Sequence, residues 1–255
     1  MSRKSFAAVI LLILTGCQTN QPADQAKKGQ LHLKLGTSHL AKGNYPAALG
    51  ELQKARRYDP DNPVVYNNLG LAYLVRGRYQ TAEVNLRKAI KLEPGYTEAR
   101  NNLGRVLLHQ NRVDDAVSEL KVAVDDLTFP SPEKSHSNLG IAYFMQKNFQ
   151  DAEDHLKRSL VLRREHCTTQ NYYGRTLYEQ KLYKKSMDTL ESSIEICDKQ
   201  KFYEPRYYSA LAAFQLGFRE QSRAKFEEIL HLSKEGKYVE RSKEMLRLLI
   251  GGRKQ

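Results

Sequence analysis

The sequence predicts an all-α protein built from stacked pairs of short helices. Three observations carry this prediction: apolar residues return at helical spacing within short segments, glycine or polar residues separate the segments, and the pattern recurs about every 34 residues. One such pair is too thin to bury its own apolar face, so the copies are expected to stack. The chain has 255 residues with 40% apolar content, which is enough for a core of this kind.

The clearest copy of the pattern lies at residues 63–94. Its first helix, helix A, places Leu69 and Gly70 on a face with apolar residues three and four positions away. Gly77 interrupts the periodicity, and helix B then opens its own apolar face with Ala82. Because Gly70 and Ala82 are small, the two helix axes can approach closely. The segment therefore predicts a helix–turn–helix unit.

Five further copies share this register. We call the residue at the interruption the turn position, and successive turn positions are 34, 34, 36, 34 and 36 residues apart. The turn positions are Gly43, Gly77, Asn111, Lys147, Lys181 and Gly217. The Leu-Gly pair of helix A recurs in four copies and becomes Tyr173-Gly174 in the fifth, while the sixth has Ala210 in place of the glycine. A proline closes only the first two copies, at Pro60 and Pro94.

The repeated L-G-x-x-Y and A-x-x-x-L/F patterns, with a period near 34, resemble the tetratricopeptide repeat. The resemblance implies a right-handed α-solenoid of six repeats followed by a capping helix. We assign the repeats to residues 29–62, 63–96, 97–130, 133–166, 167–200 and 203–236, and the capping helix and tail to residues 237–255. Longer joints near residues 127–132 and 199–202 break the regular step, and each is either a small kink or a longer turn.

The first residues read as an export signal. Two cations precede a short apolar run, and residues 14–17, Leu-Thr-Gly-Cys, resemble the bacterial lipobox. We assign residues 1–16 to a lipoprotein signal peptide and expect lipidation of Cys17; the alternative is an ordinary signal peptide with a chance cysteine. Residues 17–28 are then a lipidated N-terminus and polar tether. Gln18 is not the aspartate that favours inner-membrane retention in this class, so the resemblance implies an outer-membrane anchor with the repeats facing the periplasm.

The two remaining cysteines are Cys167 and Cys197. They lie at the start of helix A and the end of helix B of the fifth repeat, and these two ends lie side by side in an antiparallel pair. Export delivers the chain to an oxidising compartment, so we expect a disulfide there. The alternative is a pair of buried free thiols.

The sequence does not predict an enzyme. The seven histidines are scattered, and neither a His-Glu-x-x-His motif, a Cys-x-x-Cys motif nor a glycine-rich phosphate loop occurs. His32 and His136 occupy the helix A position of Tyr66 and are interpreted as packing residues. His166 beside Cys167 is a weak signal for a metal or a nucleophile. We therefore expect no catalytic residues, no metal and no cofactor.

A protein-binding groove is the function that remains. In tetratricopeptide repeats helix A lines the concave surface, so its residues outside the core are the candidates for partner contacts. Asparagine amides can bond a peptide backbone, and apolar side chains can bind a partner helix or extended segment. The predicted groove residues are Lys34, Thr37, Asn67, Asn68, Leu71, Asn101, Asn102, Arg105, Asn138 and Ile141.

The chain is basic, with a formal net charge of +12. Many cations lie on helix B, including Lys54, Arg87, Arg158 and Arg163, and so on the predicted convex side. Such a face could approach an anionic membrane or a cell-wall polymer, or it is simply solvated. Because of the export signal we expect no nucleic acid partner.

An outer-membrane lipobox followed by six such repeats, with a cysteine pair in a late repeat, resembles the type IV pilus pilotins of the PilF/PilW/Tgl group. The resemblance covers the mature chain and implies a monomeric scaffold that helps the pilus secretin reach, insert into or multimerise in the outer membrane, in support of twitching or gliding motility. An adaptor for peptidoglycan-remodelling enzymes, with the same architecture and another partner, is the alternative.

Overall fold

The computed structural model describes residues 22–198 and 202–251, and within these ranges the secondary structure is α-helical with no strand. The predicted signal peptide and Cys17 lie outside the described residues. The helices are α1 (Pro22–Ala41), α2 (Tyr45–Tyr58), α3 (Pro63–Val75), α4 (Tyr79–Leu92), α5 (Thr97–His109), α6 (Val113–Asp125), α7 (Pro132–Met145), α8 (Phe149–Leu162), α9 (Cys167–Glu179), α10 (Tyr183–Asp198), α11 (Glu204–Gln215), α12 (Arg219–Leu232) and α13 (Lys237–Gly251). The all-α prediction is confirmed, and each of the five predicted repeat ranges between residues 63 and 236 contains one helix pair.

The chain divides into two compact units, residues 1–61 and 62–255, which are described separately. In the first unit α1 packs on α2, and Gly36 provides the close approach, since a Cβ atom there would lie 2.7 Å from Cγ of Leu52. His32 joins the same two helices. Its Nδ1 atom is 2.6 Å from Oε2 of Glu51, and its ring stacks on Tyr58 at 5.5 Å between centroids.

Helix α1 begins at Pro22 rather than near Gly29, so the predicted tether is helical from Pro22 onward. Hydrophobic periodicity gave no sign of this first turn because its residues present no apolar face. Proline is well suited to the first position of a helix, where its missing N–H has no partner to lose. The helix then gains an ion pair one turn apart, with Lys28 Nζ 2.6 Å from Asp24 Oδ2.

In the second unit each helix A packs on its own helix B, and each pair packs on the next. The leucine four residues after the first small residue of helix B is fully buried in four successive repeats, at Leu86, Leu120, Leu156 and Leu190. Gly70 shows why the partner position is glycine, since a Cβ atom there would lie 2.5 Å from Cγ of Leu86. Helix α13 packs against α12 and α11 and buries Val239 and Leu249 on the last repeat.

All six turn positions have the left-handed backbone conformation, although only three of them are glycine. Their φ angles are 73° at Gly43, 69° at Gly77, 59° at Asn111, 61° at Lys147, 64° at Lys181 and 80° at Gly217. Glycine adopts this conformation without a steric cost, whereas the two lysines carry a Cβ atom that opposes it. The register derived from spacing therefore identified a backbone feature rather than a residue type.

The joint between the third and fourth repeats is a turn organised by Asp126. Its Oδ1 atom accepts hydrogen bonds from the Thr128 amide at 2.9 Å and the Thr128 hydroxyl at 2.6 Å. The side chain of Asp126 also bonds the hydroxyl of Thr97, and Phe129 buries its ring beside the turn. Pro132 then opens α7.

Candidate functional site

The second unit contains a cavity of about 340 Å³, formed mainly by helix A of three successive repeats. Helices α3, α5 and α7 contribute most of the wall, and the end of α8 and the start of α9 complete it. The lining residues are Leu71, Glu98, Asn101, Asn102, Arg105, Glu133, Lys134, Ser137, Asn138, Ile141, Ser159, Arg163, His166, Thr168 and Thr169. A cavity of this kind can accept side chains from an extended segment or a helix of a partner.

The cavity brings together most, but not all, of the predicted groove residues. Six of them line it: Leu71, Asn101, Asn102, Arg105, Asn138 and Ile141. Asn67 and Asn68 do not line it, and their exposed fractions are 1% and 8%. Lys34 and Thr37 belong to the first unit, where both are exposed on α1.

The asparagines of the groove bond to one another across repeats. Asn102 Nδ2 donates to Asn67 Oδ1 at 2.9 Å, and Asn138 Nδ2 donates to Asn101 Oδ1 at 2.8 Å. The Nδ2 atom of Asn67 in turn donates to Oδ1 of the neighbouring Asn68 at 3.3 Å. Because a buried amide without a partner is costly, these bonds give asparagine a role in holding adjacent repeats together.

The helix A position of Asn67 and Asn101 also contacts the next repeat in the fourth and fifth repeats. The residue ten positions before the turn position is Asn67, Asn101, Ser137 or Asn171 in successive repeats. Ser137 Oγ lies 2.7 Å from Thr169 Oγ1, and Asn171 Nδ2 donates to Glu204 Oε2 at 2.7 Å. These contacts between repeats explain why a polar side chain recurs at this position. Asn101, Asn102 and Asn138 combine this role with a place in the cavity wall.

Five charged side chains line the cavity, and none of them forms an ion pair within the ranges that the structure describes. Three are the cations Arg105, Lys134 and Arg163, and two are the carboxylates Glu98 and Glu133. Each carboxylate lies in the first turn of a helix, where it interacts favourably with the helix dipole. Burial lowers the pKa of the Arg105 guanidinium. The excess of one positive charge favours an anionic group in the cavity.

Sequence reasoning missed several wall residues and placed one on the wrong side. Lys134 and Glu98 share a position 13 residues before the turn position, which comparing the repeats column by column would have revealed. Arg163 was assigned to the convex basic face, yet it lines the cavity because it directly follows α8. His166 caps α9: its Nδ1 lies 2.7 Å from Thr169 Oγ1, and burial lowers its pKa.

In the fifth and sixth repeats, which we call the late repeats, the corresponding surface is filled by the protein's own side chains. Arg175 lies against the rings of Phe144, Tyr172 and Tyr208, at 4.6, 4.8 and 4.9 Å from their centroids. Arg175 Nη1 is also 3.3 Å from Glu204 Oε1. Glu204 further accepts a hydrogen bond from the hydroxyl of Tyr238 in α13, and burial together with this bond raises the pKa of that phenol.

Cys167 and Cys197 meet at the ends of α9 and α10. Their Cα atoms are 5.1 Å apart, and their sulfurs lie at bonding distance in the structure. Among the described residues, no group of three or more histidine, cysteine, aspartate or glutamate side chains is placed to hold a metal ion.

Several of the cations on helix B pair with acids of the same helix. Lys54 Nζ is 2.7 Å from Glu51 Oε1, and Arg158 Nε is 2.9 Å from Asp154 Oδ2. Arg87 Nη2 is 2.8 Å from Glu83 Oε1. Such exposed pairs contribute little to stability and are typical of a solvated helix face. In the part of the chain that the structure covers, no helix is both long and apolar enough to cross a bilayer.

Family profiles of the tetratricopeptide repeat match the chain at residues 33–85, 68–134 and 135–167. Together these matches run from residue 33 to residue 167, which is more than half of the 255 residues. No curated protein sequence matches the chain.

Two solved structures similar to this chain are pilus proteins. PilF of Pseudomonas aeruginosa is 20% identical over 87% of this chain and 99% of PilF, with a TM-score of 0.71. PilW, a widely conserved type IV pilus biogenesis factor, is 19% identical over 83% of this chain and 96% of PilW, with a TM-score of 0.75. The Cut9–Hcn1 assembly of the APC/C matches 89% of this chain but only 44% of its own, at 16% identity and a TM-score of 0.76. At these identities the likeness shows the fold alone.

Proposed function

The chain belongs to the tetratricopeptide repeat family, and on this basis we propose that it is an outer-membrane-anchored scaffold that acts as a pilotin for the type IV pilus secretin. In this role it supports the assembly, localisation or multimerisation of the secretin, and through it pilus biogenesis and motility. The protein contributes binding surfaces rather than chemistry.

The observation that carries this proposal is the share of each chain over which this protein aligns with the two pilus proteins. The alignments cover 99% of PilF and 96% of PilW together with 87% and 83% of this chain, whereas the Cut9–Hcn1 match covers less than half of that chain. A shared helix–turn–helix unit alone does not require this correspondence, because repeat arrays vary freely in length.

The N-terminal segment supports an anchored scaffold. A lipid on Cys17 would hold the protein at a membrane, and about 0.8 kcal/mol for each buried CH₂ group makes more than one acyl chain a stable anchor. The repeats would then face the periplasm, where the secretin subunits pass. We also propose that the Cys167–Cys197 bond forms in that oxidising compartment.

The cavity is the proposed contact surface for the secretin. Leu71 and Ile141 supply apolar contact, and Arg105 with the amides of Asn101 and Asn138 supplies polar contact. This mixture suits a short segment that enters the groove with a few side chains rather than a broad, flat interface.

A gene deletion tests the proposal. We expect heat-resistant secretin multimers to be lost from outer membranes, and to return with the wild-type gene. Cys17→Ala serves as the matched variant, because it retains the repeats and removes the lipid; it should restore multimers poorly or in the wrong membrane. Intact multimers in the deletion strain would refute the proposal, and altered muropeptide cross-linking there would favour the peptidoglycan-enzyme adaptor.

A further inference from the structure

Two arginines occupy the same position in different repeats. Arg105 in α5 and Arg175 in α9 each lie six residues before the turn position of their repeat. Arg175, together with Asn171 one helical turn earlier, holds the carboxylate of Glu204: the guanidinium is 3.3 Å away and the Asn171 amide donates at 2.7 Å. The fold thus contains one example of how this pair of positions binds a carboxylate.

The equivalent pair in the third repeat consists of Arg105 and Asn101. No hydrogen bond or ion pair joins Arg105 to another side chain within residues 22–198 and 202–251, although its guanidinium is partly buried in the cavity wall. Asn101 Oδ1 accepts a bond from Asn138, and in the same ranges its Nδ2 has no protein acceptor. These donors therefore occupy the repeat positions that bind Glu204 elsewhere, and no carboxylate within the described ranges engages them.

The residue that corresponds to Glu204 has the opposite charge. Both residues lie 13 positions before the turn position of the following repeat, and in the fourth repeat this residue is Lys134. Lys134 also lines the cavity, as does Arg163. Where the late repeats supply a carboxylate of their own, the early repeats supply a second cation, and the cations outnumber the carboxylates of Glu98 and Glu133.

We propose that the cavity binds an acidic side chain of the partner protein, with its carboxylate held by Arg105 and Asn101 as Glu204 is held by Arg175 and Asn171. The identity of the partner rests on the proposed function, whereas the chemistry rests on the comparison of the two repeats. Arg105 provides a planar, charged donor that can bond both carboxylate oxygens, and Lys134 and Arg163 add attraction at longer range.

A pair of peptide libraries tests this chemistry without the secretin. Both contain short random peptides with one fixed central residue, which is Glu in one library and its uncharged isostere Gln in the other. We expect the immobilised full-length protein to retain the Glu library about tenfold better or more, since a charge-assisted hydrogen bond contributes at least that factor. Arg105→Gln should abolish this preference. Arg76→Gln, which removes the same charge from an exposed residue outside the cavity wall, should leave it intact.

Each outcome decides the inference. Equal retention of the two libraries by the wild type, or an unchanged preference in Arg105→Gln, would overturn it. Arg105→Lys keeps the charge without the planar guanidinium and should give an intermediate preference for the Glu library. This result, together with an unchanged circular dichroism spectrum of each variant, would show that the lost preference is not caused by misfolding. A preference for Glu without secretin assembly defects in the deletion strain would refute the pilotin role and leave this inference standing.

Discussion

The third and fifth repeats place an arginine at the same point of helix A, and the surroundings of the two side chains differ. Arg175 lies among three aromatic rings and faces Glu204, whose carboxylate also bonds helices α9 and α13. Arg105 lines a cavity, and Lys134 lines the same cavity. The same repeat position therefore stabilises packing in the fifth repeat. In the third repeat it leaves hydrogen-bond donors available to a partner.

This difference shows how a repeat array separates stability from binding. Every repeat needs the same core leucines and the same close approach of its helices, so those positions carry little information about the partner. The positions beside them are free to vary. In the late repeats they are filled by internal aromatic and ionic contacts, whereas in repeats two to four they form a polar cavity.

The largest effect is expected from Glu204→Gln, which breaks the late-repeat arrangement. The side chains of Arg175 and Glu204 are 16% and 10% exposed, so the substitution leaves a largely buried guanidinium without its counter-charge. We expect the free energy of unfolding to fall by about 3 kcal/mol in a urea titration followed by circular dichroism. Glu98→Gln, at the same repeat position but exposed, should change it by less than about 1 kcal/mol. Equal losses for the two variants would mean that the two regions do not differ as described.

Reduction of the Cys167–Cys197 bond should have an effect of similar size. The two cysteines are 30 residues apart in sequence, and a closed loop of this length stabilises a fold by about 3–4 kcal/mol in the chain-entropy model. We expect dithiothreitol to lower the urea midpoint of the wild type and to leave that of the Cys167→Ser/Cys197→Ser double variant unchanged. Two free thiols in unreduced protein would refute the bond.

A smaller loss is expected from Asn102→Ala in the early repeats. The substitution leaves Asn67 Oδ1 without the donor it has at 2.9 Å, and a buried acceptor without a partner costs about 1–3 kcal/mol. A double-mutant cycle with Asn67→Ala should show a coupling of about 1 kcal/mol. Asn102 was predicted from the sequence as a groove residue, and this contact gives it a structural role as well. Additive losses would show that the amide pair does not join the repeats.

The smallest effect is a loss of stability in mild acid, centred on the fourth repeat. His136 Nδ1 lies 2.9 Å from His155 Nδ1, so one nitrogen must donate the hydrogen bond and the other must accept it without a proton of its own. Both rings therefore cannot be charged at low cost. Burial lowers the pKa of both histidines in the folded state below the ordinary value of 6.5. The unfolded chain therefore binds more protons as pH falls through that value, and stability, which is full above it, declines.

The measurement is the urea midpoint at neutral pH and about one unit below the ordinary histidine pKa. Burial also lowers the pKa of His109 and His166, so these residues contribute in the same direction. His155→Phe should make the pH dependence weaker but not remove it. A midpoint that rises in acid would contradict the assignment.

The sequence was sufficient for the helix pairs because their signals are local. The period identified all six turn positions, and each has a positive φ even where the residue is Lys147 or Lys181. The close approach expected at Gly70 is present in the packing against Leu86. These features depend on residues within one repeat, which a periodic pattern reports directly.

The parts that sequence reasoning missed depend on contacts between repeats or on polar helix turns. The packing of two repeats decides whether Asn102 faces solvent or Asn67, and the residue pattern within one repeat does not predict this packing. Arg163 reaches the cavity only because the chain turns after α8. The first turn of α1 has no apolar face, so the helix start at Pro22 left no periodic signal.

Site-specific photo-cross-linking in living cells tests the central claim that the early repeats contact the partner and the late repeats do not. A photoreactive phenylalanine derivative would replace Lys134 in the cavity wall or, as the control, Glu179 on helix A of the fifth repeat; both side chains are exposed. We expect a covalent adduct that contains the type IV pilus secretin from position 134 and none from position 179. An equal adduct from position 179, or no secretin adduct from position 134, would contradict it.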